Sequence, residues 1–105
     1  MKERVAYFNG EIVPESEVLV PFRDRSFKYG DGVFDAARTF GGRIFKLVEH
    51  IERLFDSLNY VGIDPGLSQK EITQLSEEVS QRNLPLLKPN SDHWVSQRIS
   101  RGVNI

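Results

Sequence analysis

Cysteine is absent from this chain, which excludes disulfides and thiolate metal sites and fits a reducing cytoplasm. Histidine is scarce: His50 and His93 lie far apart and in no metal-ligand spacing, so no metal site is expected. No apolar run approaches the roughly 20 residues of a membrane-spanning helix. Met1-Lys2-Glu3-Arg4 leads into a short strand pattern and not into the apolar core of a signal peptide. Neither charge is in excess: 14 basic and 15 acidic residues leave a formal net charge of −1, and the basic residues are scattered. Nucleic acid and membrane are therefore not expected as partners, and the chain reads as cytoplasmic. Internal repeats and low-complexity tracts are missing as well.

What is present is ordinary for a globular chain, with 39% hydrophobic and 28% charged residues. A length of 105 residues allows one domain, spanning 1–105, that buries about 65% of its unfolded surface. Val5-Ala6-Tyr7-Phe8, Asn9-Gly10 and Glu11-Ile12-Val13 read as a hairpin, because Asn-Gly between short apolar runs is a strong turn signal. Glu17 to Phe22 is expected to add another short strand, and the charged Arg23-Asp24-Arg25 to form a loop. After a turn at Gly30 and Gly32, Val33 to Phe40 reads as a strand. Gly41-Gly42 turns it back along Arg43 to Lys46. From about Leu47 to Val61 the period becomes helical, with Ile51, Leu54, Phe55 and Leu58 on one stripe. Gly62 and Pro65 close that helix. Ser68-Gln69-Lys70-Glu71 has capping-box spacing and opens a second helix to about Asn83. Leu84 to Asp92 reads as a loop and Trp94 to Ser100 as a strand. The chain stops at Ile105 without a cap or polar tail, which reads as a truncation point. The expected fold is α+β: a small two-layer domain with an antiparallel sheet and two helices packed on it.

Two arginines carry the chemistry. On the strand from Val33, Phe34, Ala36, Arg38 and Phe40 share one face, and Val33, Asp35, Ala37 and Thr39 the other. Arg38, between two phenylalanines, suits a carboxylate whose hydrogen bonds are strengthened by apolar walls. A snorkelling arginine paired with a local acid is the alternative. Arg53 shares a mixed helical face with His50, Ser57 and Tyr60. It suits bidentate binding of phosphate, against a solvated pair with Glu49. Two buried or half-buried guanidiniums close in space would imply one pocket for a phosphate and a carboxylate. Tyr29 could present its hydroxyl to a ligand. Arg101 stands at a strand exit, with Arg98 on the other face as its alternative. His50 reads as a hydrogen-bonded structural residue.

Taken in order and spacing, these motifs resemble the N-terminal part of the class IV (fold type IV) pyridoxal-phosphate aminotransferases. That family includes branched-chain and D-amino-acid aminotransferases and aminodeoxychorismate lyase. The likeness runs from Tyr7-Phe8-Asn9-Gly10-Glu11 through Arg23-Asp24-Arg25-Ser26-Phe27-Lys28-Tyr29-Gly30-Asp31-Gly32-Val33-Phe34 and Glu49-His50-Ile51-Glu52-Arg53-Leu54 to Ile99-Ser100-Arg101-Gly102. The resemblance implies pyridoxal 5'-phosphate as cofactor, with its phosphate on Arg53. It implies Tyr29, Phe34, Arg38 and Arg101 as substrate-binding residues, amino acids and 2-oxo acids as substrates, and a homodimer. Gly30-Asp31-Gly32 is similar to the D-amino-acid and lyase branches, whereas Phe34 is similar to the branched-chain group. None of Lys2, Lys28, Lys46, Lys70 and Lys88 matches the Schiff-base lysine of the family, so no catalytic residue is assigned within this chain. The chain alone is expected to be inactive. Beside the aminotransferase stand two other readings: a lyase of the aminodeoxychorismate type and a non-catalytic anion-binding interaction module. Arg53 lies off the apolar stripe, so its loss is expected to spare the fold.

Overall fold

The computed structural model describes residues 3–103. Strands β1 (Val5–Phe8) and β2 (Glu11–Pro14) form the hairpin that Asn9-Gly10 predicts. Both turn residues have positive φ, 47° and 105°, the backbone that favours Asn-Gly there. A 3-10 turn at Glu15–Glu17 follows, and then helix α1 (Arg25–Tyr29). The next elements are β3 (Gly32–Phe40), β4 (Arg43–Ile44), α2 (Leu47–Val61), α3 (Gln69–Asn83) and β5 (Trp94–Ser100). The strands fall into two sheets, the β1–β2 hairpin and a three-stranded antiparallel sheet ordered β4-β3-β5. The fold is therefore α+β, as the segregated patterns predict.

Two local expectations are overturned. Val18 to Phe22 joins no ladder: Pro21 lacks an N–H, and Leu19, Val20 and Phe22 are exposed. The charged stretch at Arg23 to Arg25 starts a helix instead of forming a loop. Asp24 is its N-cap, accepting from the Phe27 backbone N–H at 3.2 Å. Asp24 also accepts from Ser100 Oγ at 2.8 Å, which ties α1 to the end of β5.

Helix α2 packs across β3, and α3 packs against α2, β1 and β5. Leu47, Ile51, Leu54 and Leu58 project from α2 into a core shared with Ile63 and Ile72, while Glu49, Glu52, Asp56 and Asn59 stay exposed. Ser68 and Glu71 form a complete capping box at the start of α3. The α3–β5 contact is polar: the buried Ser76 accepts from Gln97 Nε2 at 3.0 Å, and Ser80 Oγ lies 2.8 Å from His93 Nε2. Burial holds the His93 imidazole below its ordinary pKa, so the neutral ring is the form packed there. Asn83 fastens the hairpin, accepting from Val5 N–H at 2.8 Å and donating to Val5 C=O at 2.9 Å.

The three-stranded sheet has two unlike faces. Val33, Asp35, Ala37 and Thr39 of β3 face the helices, with Val95, Gln97 and Ile99 of β5. Phe34, Ala36, Arg38 and Phe40 face outward with Trp94, Ser96 and Arg98. Gly32 is required where β3 meets β5, because a Cβ there would stand 2.8 Å from the Ile99 carbonyl oxygen. Leu54 is wholly buried at the centre of the core. Leu54→Ala should lower unfolding free energy by about 2–5 kcal/mol, the range for a large-to-small change in a packed core. Urea denaturation measures it.

Candidate functional site

The site begins with a carboxylate on the wrong side of a strand. Asp35 sits among the core-facing residues of β3, and its side chain is only 4% exposed. A buried charge persists only where donors replace water. Four are in place here. Arg53 Nε donates to Asp35 Oδ2 at 2.8 Å and Arg53 Nη2 to Oδ1 at 2.9 Å. The backbone N–H of Ala36 reaches Oδ1 at 2.9 Å, and His50 Nδ1 lies 2.7 Å from the same oxygen. A carboxylate only accepts, so the His50 proton is on Nδ1. His50 and Arg53, one helical turn apart on α2, thus close on a single residue of β3.

Strand β4 pairs with only the far end of β3, beyond Arg38. Its two rungs are Thr39–Ile44 and Phe40–Arg43, with one further bond from Phe45 N–H to the Arg38 carbonyl. Asp35 holds Arg53 from inside while the guanidinium faces water. The Arg53 side chain is 68% exposed, and Nη1 has no partner among the described residues. One edge of the fork is occupied by Asp35 and the other is open to an anion. The alternative pairing of Arg53 with Glu49 does not form, since its partner is Asp35. Arg53→Ala would strip two of the four donors from a buried carboxylate, a cost to stability that the position of Arg53 off the apolar stripe does not reveal.

Arg38 is not beside Arg53. It faces outward, exposed, with its guanidinium 4.7 Å from the Phe40 ring centroid, while Arg53 grips the inward-facing Asp35. Both guanidiniums are exposed in this chain, and Arg38 and the Asp35 that holds Arg53 lie on opposite faces of β3. Alternation along β3 dictates this: Asp35 and Arg38 differ by an odd number of residues. On the outward face Phe34 is 65% and Trp94 69% exposed, and the Arg98 guanidinium stacks 5.2 Å from the Phe34 ring. Arg98, an alternative in the sequence, thus shares the face of Phe34 and Arg38. Arg101 is engaged elsewhere. Its Nε donates to Asp31 Oδ2 at 2.7 Å, and its Nη groups donate to the carbonyls of Val61 (2.7 Å) and Gly62 (3.3 Å) at the end of α2. Tyr29 is exposed at the end of α1, with the Lys28 ammonium 5.3 Å from its ring.

Asp35 is the residue that sequence reasoning missed. Alternation groups it with Val33, Ala37 and Thr39 but does not say which face of the strand is buried. No group of three or more His, Cys, Asp or Glu side chains suited to a metal occurs among the described residues. No helix of the described residues is long and apolar enough to cross a membrane.

The Arg53 hydrogen bonds hold the Asp35 carboxyl below the ordinary aspartate pKa, with a smaller contribution from His50 and with burial opposing both. A carboxyl lowered by folding binds fewer protons when folded than when unfolded. Its stabilisation is complete above the unfolded value of about 3.9 and fades as pH falls through the folded one. Asp92, lowered by its bond from the Thr39 hydroxyl, acts in the same window. Asp35→Asn should therefore reduce stability at neutral pH and partly flatten its decline below about pH 4. Urea titrations between neutral and acid pH measure both effects.

Comparison with known proteins agrees with this architecture. The family described as "Amino-transferase class IV" matches residues 32–91, from the start of β3 to the turn before β5. A D-alanine aminotransferase of Staphylococcus aureus is 36% identical over 77 residues, covering 73% of this chain and 27% of the relative. Among solved structures, the branched-chain amino acid aminotransferase from Escherichia coli superposes with a TM-score of 0.84 at 25% identity, covering 96% of this chain and 34% of that one. The branched-chain aminotransferase from the thermophilic archaeon Thermoproteus uzoniensis, solved with norvaline, gives a TM-score of 0.79 at 25% identity, covering 92% and 33%. The chain thus spans about a quarter to a third of the length of these relatives. With the family matching 60 consecutive positions that include Asp35, His50 and Arg53, this chain belongs to the class IV aminotransferases.

Proposed function

We propose that this chain is the N-terminal small domain of a pyridoxal-phosphate-dependent aminotransferase, which moves an amino group between an amino acid and a 2-oxo acid. The observation that carries this reading is the Arg53 guanidinium, clamped on one edge by a buried carboxylate and open on the other. A phosphate monoester is a dianion whose oxygens match such a fork. The donor chemistry therefore fits the cofactor phosphate. When bound, the cofactor supplies the electron sink that amino transfer needs.

This chain's own residues would bind and orient. Arg53 would hold the phosphate through its open edge, and Asp35 and His50 would keep that edge in place. On the outward face, Phe34 and Arg38 would meet the substrate, the ring against its apolar part and the guanidinium against its carboxylate. Tyr29 would stand at the pocket margin. Arg101 would serve the carboxylate only on exchanging its bonds to Asp31 and the end of α2, so Arg98, beside Phe34, is the nearer donor. The amine that holds the cofactor aldehyde would come from outside this chain. Lys28 and Lys46 lie over the Phe22, Tyr29 and Phe45 rings, and no lysine is hydrogen-bonded or ion-paired to the Asp35–His50–Arg53 group among the described residues. The full-length protein would work as a cytoplasmic homodimer, a reading supported by the family resemblance and the lack of cysteine.

Substitutions in the full-length protein separate the two roles. Arg53→Ala should weaken pyridoxal phosphate binding by about tenfold or more, the scale of a lost charge-assisted hydrogen bond. Arg38→Ala should instead raise the amino-acid KM while the cofactor stays bound. Cofactor titration and steady-state kinetics with a 2-oxo acid acceptor measure both. Unchanged cofactor affinity in Arg53→Ala with clear loss in Arg38→Ala would reverse the roles. Pyruvate release without dependence on a 2-oxo acid would replace amino transfer by lyase chemistry.

A further inference from the structure

We propose that Asp35 is a positioning residue for anion binding: it fixes the Arg53 fork so that the Nη1 edge meets a phosphate monoester in one orientation. The inference rests on the assignment of phosphate binding to Arg53. Two physical effects of Asp35 oppose each other, and the geometry decides between them. Its negative charge lowers the positive potential at the site, so charge alone would make Asp35 a hindrance to any anion. Its grip does the reverse, by removing the freedom of an exposed arginine to sweep through solvent before a ligand arrives.

Three features favour the grip. The contact is two-point, through Nε and Nη2, which fixes the plane of the guanidinium as well as its place. The carboxylate is itself immobile, held by the Ala36 N–H of its own strand and by His50 Nδ1 from α2. It is also nearly out of water, while the fork it carries reaches into it. A carboxylate serving only to balance charge needs none of this. His50 contributes through Asp35: its Nδ1 stands 3.5 Å from Arg53 Nη2, and with both groups donating to the same oxygen it braces the clamp without competing for the anion.

The test compares pyridoxal phosphate with pyridoxal, which lacks the phosphate, on the full-length apo-protein, following each by absorbance. Asp35→Asn should lower pyridoxal phosphate affinity by about tenfold, the scale of losing a charge-assisted bond. It should leave pyridoxal affinity unchanged, and Asp35→Glu should recover part of the loss. Arg53→Ala, run alongside, tests the underlying assignment separately. If Arg53→Ala binds pyridoxal phosphate as the parent does, the phosphate assignment falls and the positioning role with it. If Arg53→Ala is weakened but Asp35→Asn binds equally or more tightly, only the positioning role is overturned, and charge is the larger effect. Equal loss of both ligands in Asp35→Asn would also overturn it, since that result reports a general loss of structure.

Discussion

The structure depends on one buried carboxylate. Asp35 occupies a position where β3 otherwise presents Val33, Ala37 and Thr39 to the helices, and a charge there survives only with full hydrogen bonding. That requirement sets the placement of α2 relative to β3. The helix must lie so that His50 and Arg53 reach the strand while Leu47, Ile51, Leu54 and Leu58 fill the core. Apolar packing alone would tolerate a rotated or shifted helix. The two-point arginine contact would not, because a shift by one residue carries Arg53 about 100° around the helix axis.

The same constraint gives the domain its two unlike surfaces. Asp35 draws Arg53 to the helical side of β3, and alternation sends Arg38 to the opposite side. The outward face becomes a sheet of aromatic rings and guanidiniums, Phe34 under Arg98 and Phe40 under Arg38. Such a face combines apolar area with fixed cations and suits an organic acid, whereas the Arg53 edge is polar and suits a compact dianion.

Elements defined by local signals were legible in the sequence. Helix α2 begins and ends where periodicity and Gly62 place it, the capping box marks α3, and Asn9-Gly10 marks the hairpin. Helix α1 was hidden, because its five residues are too few for periodicity and Asp24 passed for one more loop charge. The pairing of β5 with β3, far from it in sequence, left no trace in either strand's own pattern. The clamp was half visible. His50 and Arg53 were singled out on the mixed face of α2, but their partner lies 15 and 18 residues away, beyond any helical spacing rule. Alternation assigns faces within β3 but does not say which face α2 covers, so the separation of Arg38 from Arg53 was not legible either.

If Asp35 acts through Arg53, its contribution to phosphate binding must vanish when Arg53 is gone. A double-mutant cycle on pyridoxal phosphate affinity in the full-length protein reads this directly. The account predicts that Asp35→Asn in an Arg53→Ala background brings no further loss. Losses that add in full would contradict it, and would mean that the two residues act on the cofactor independently.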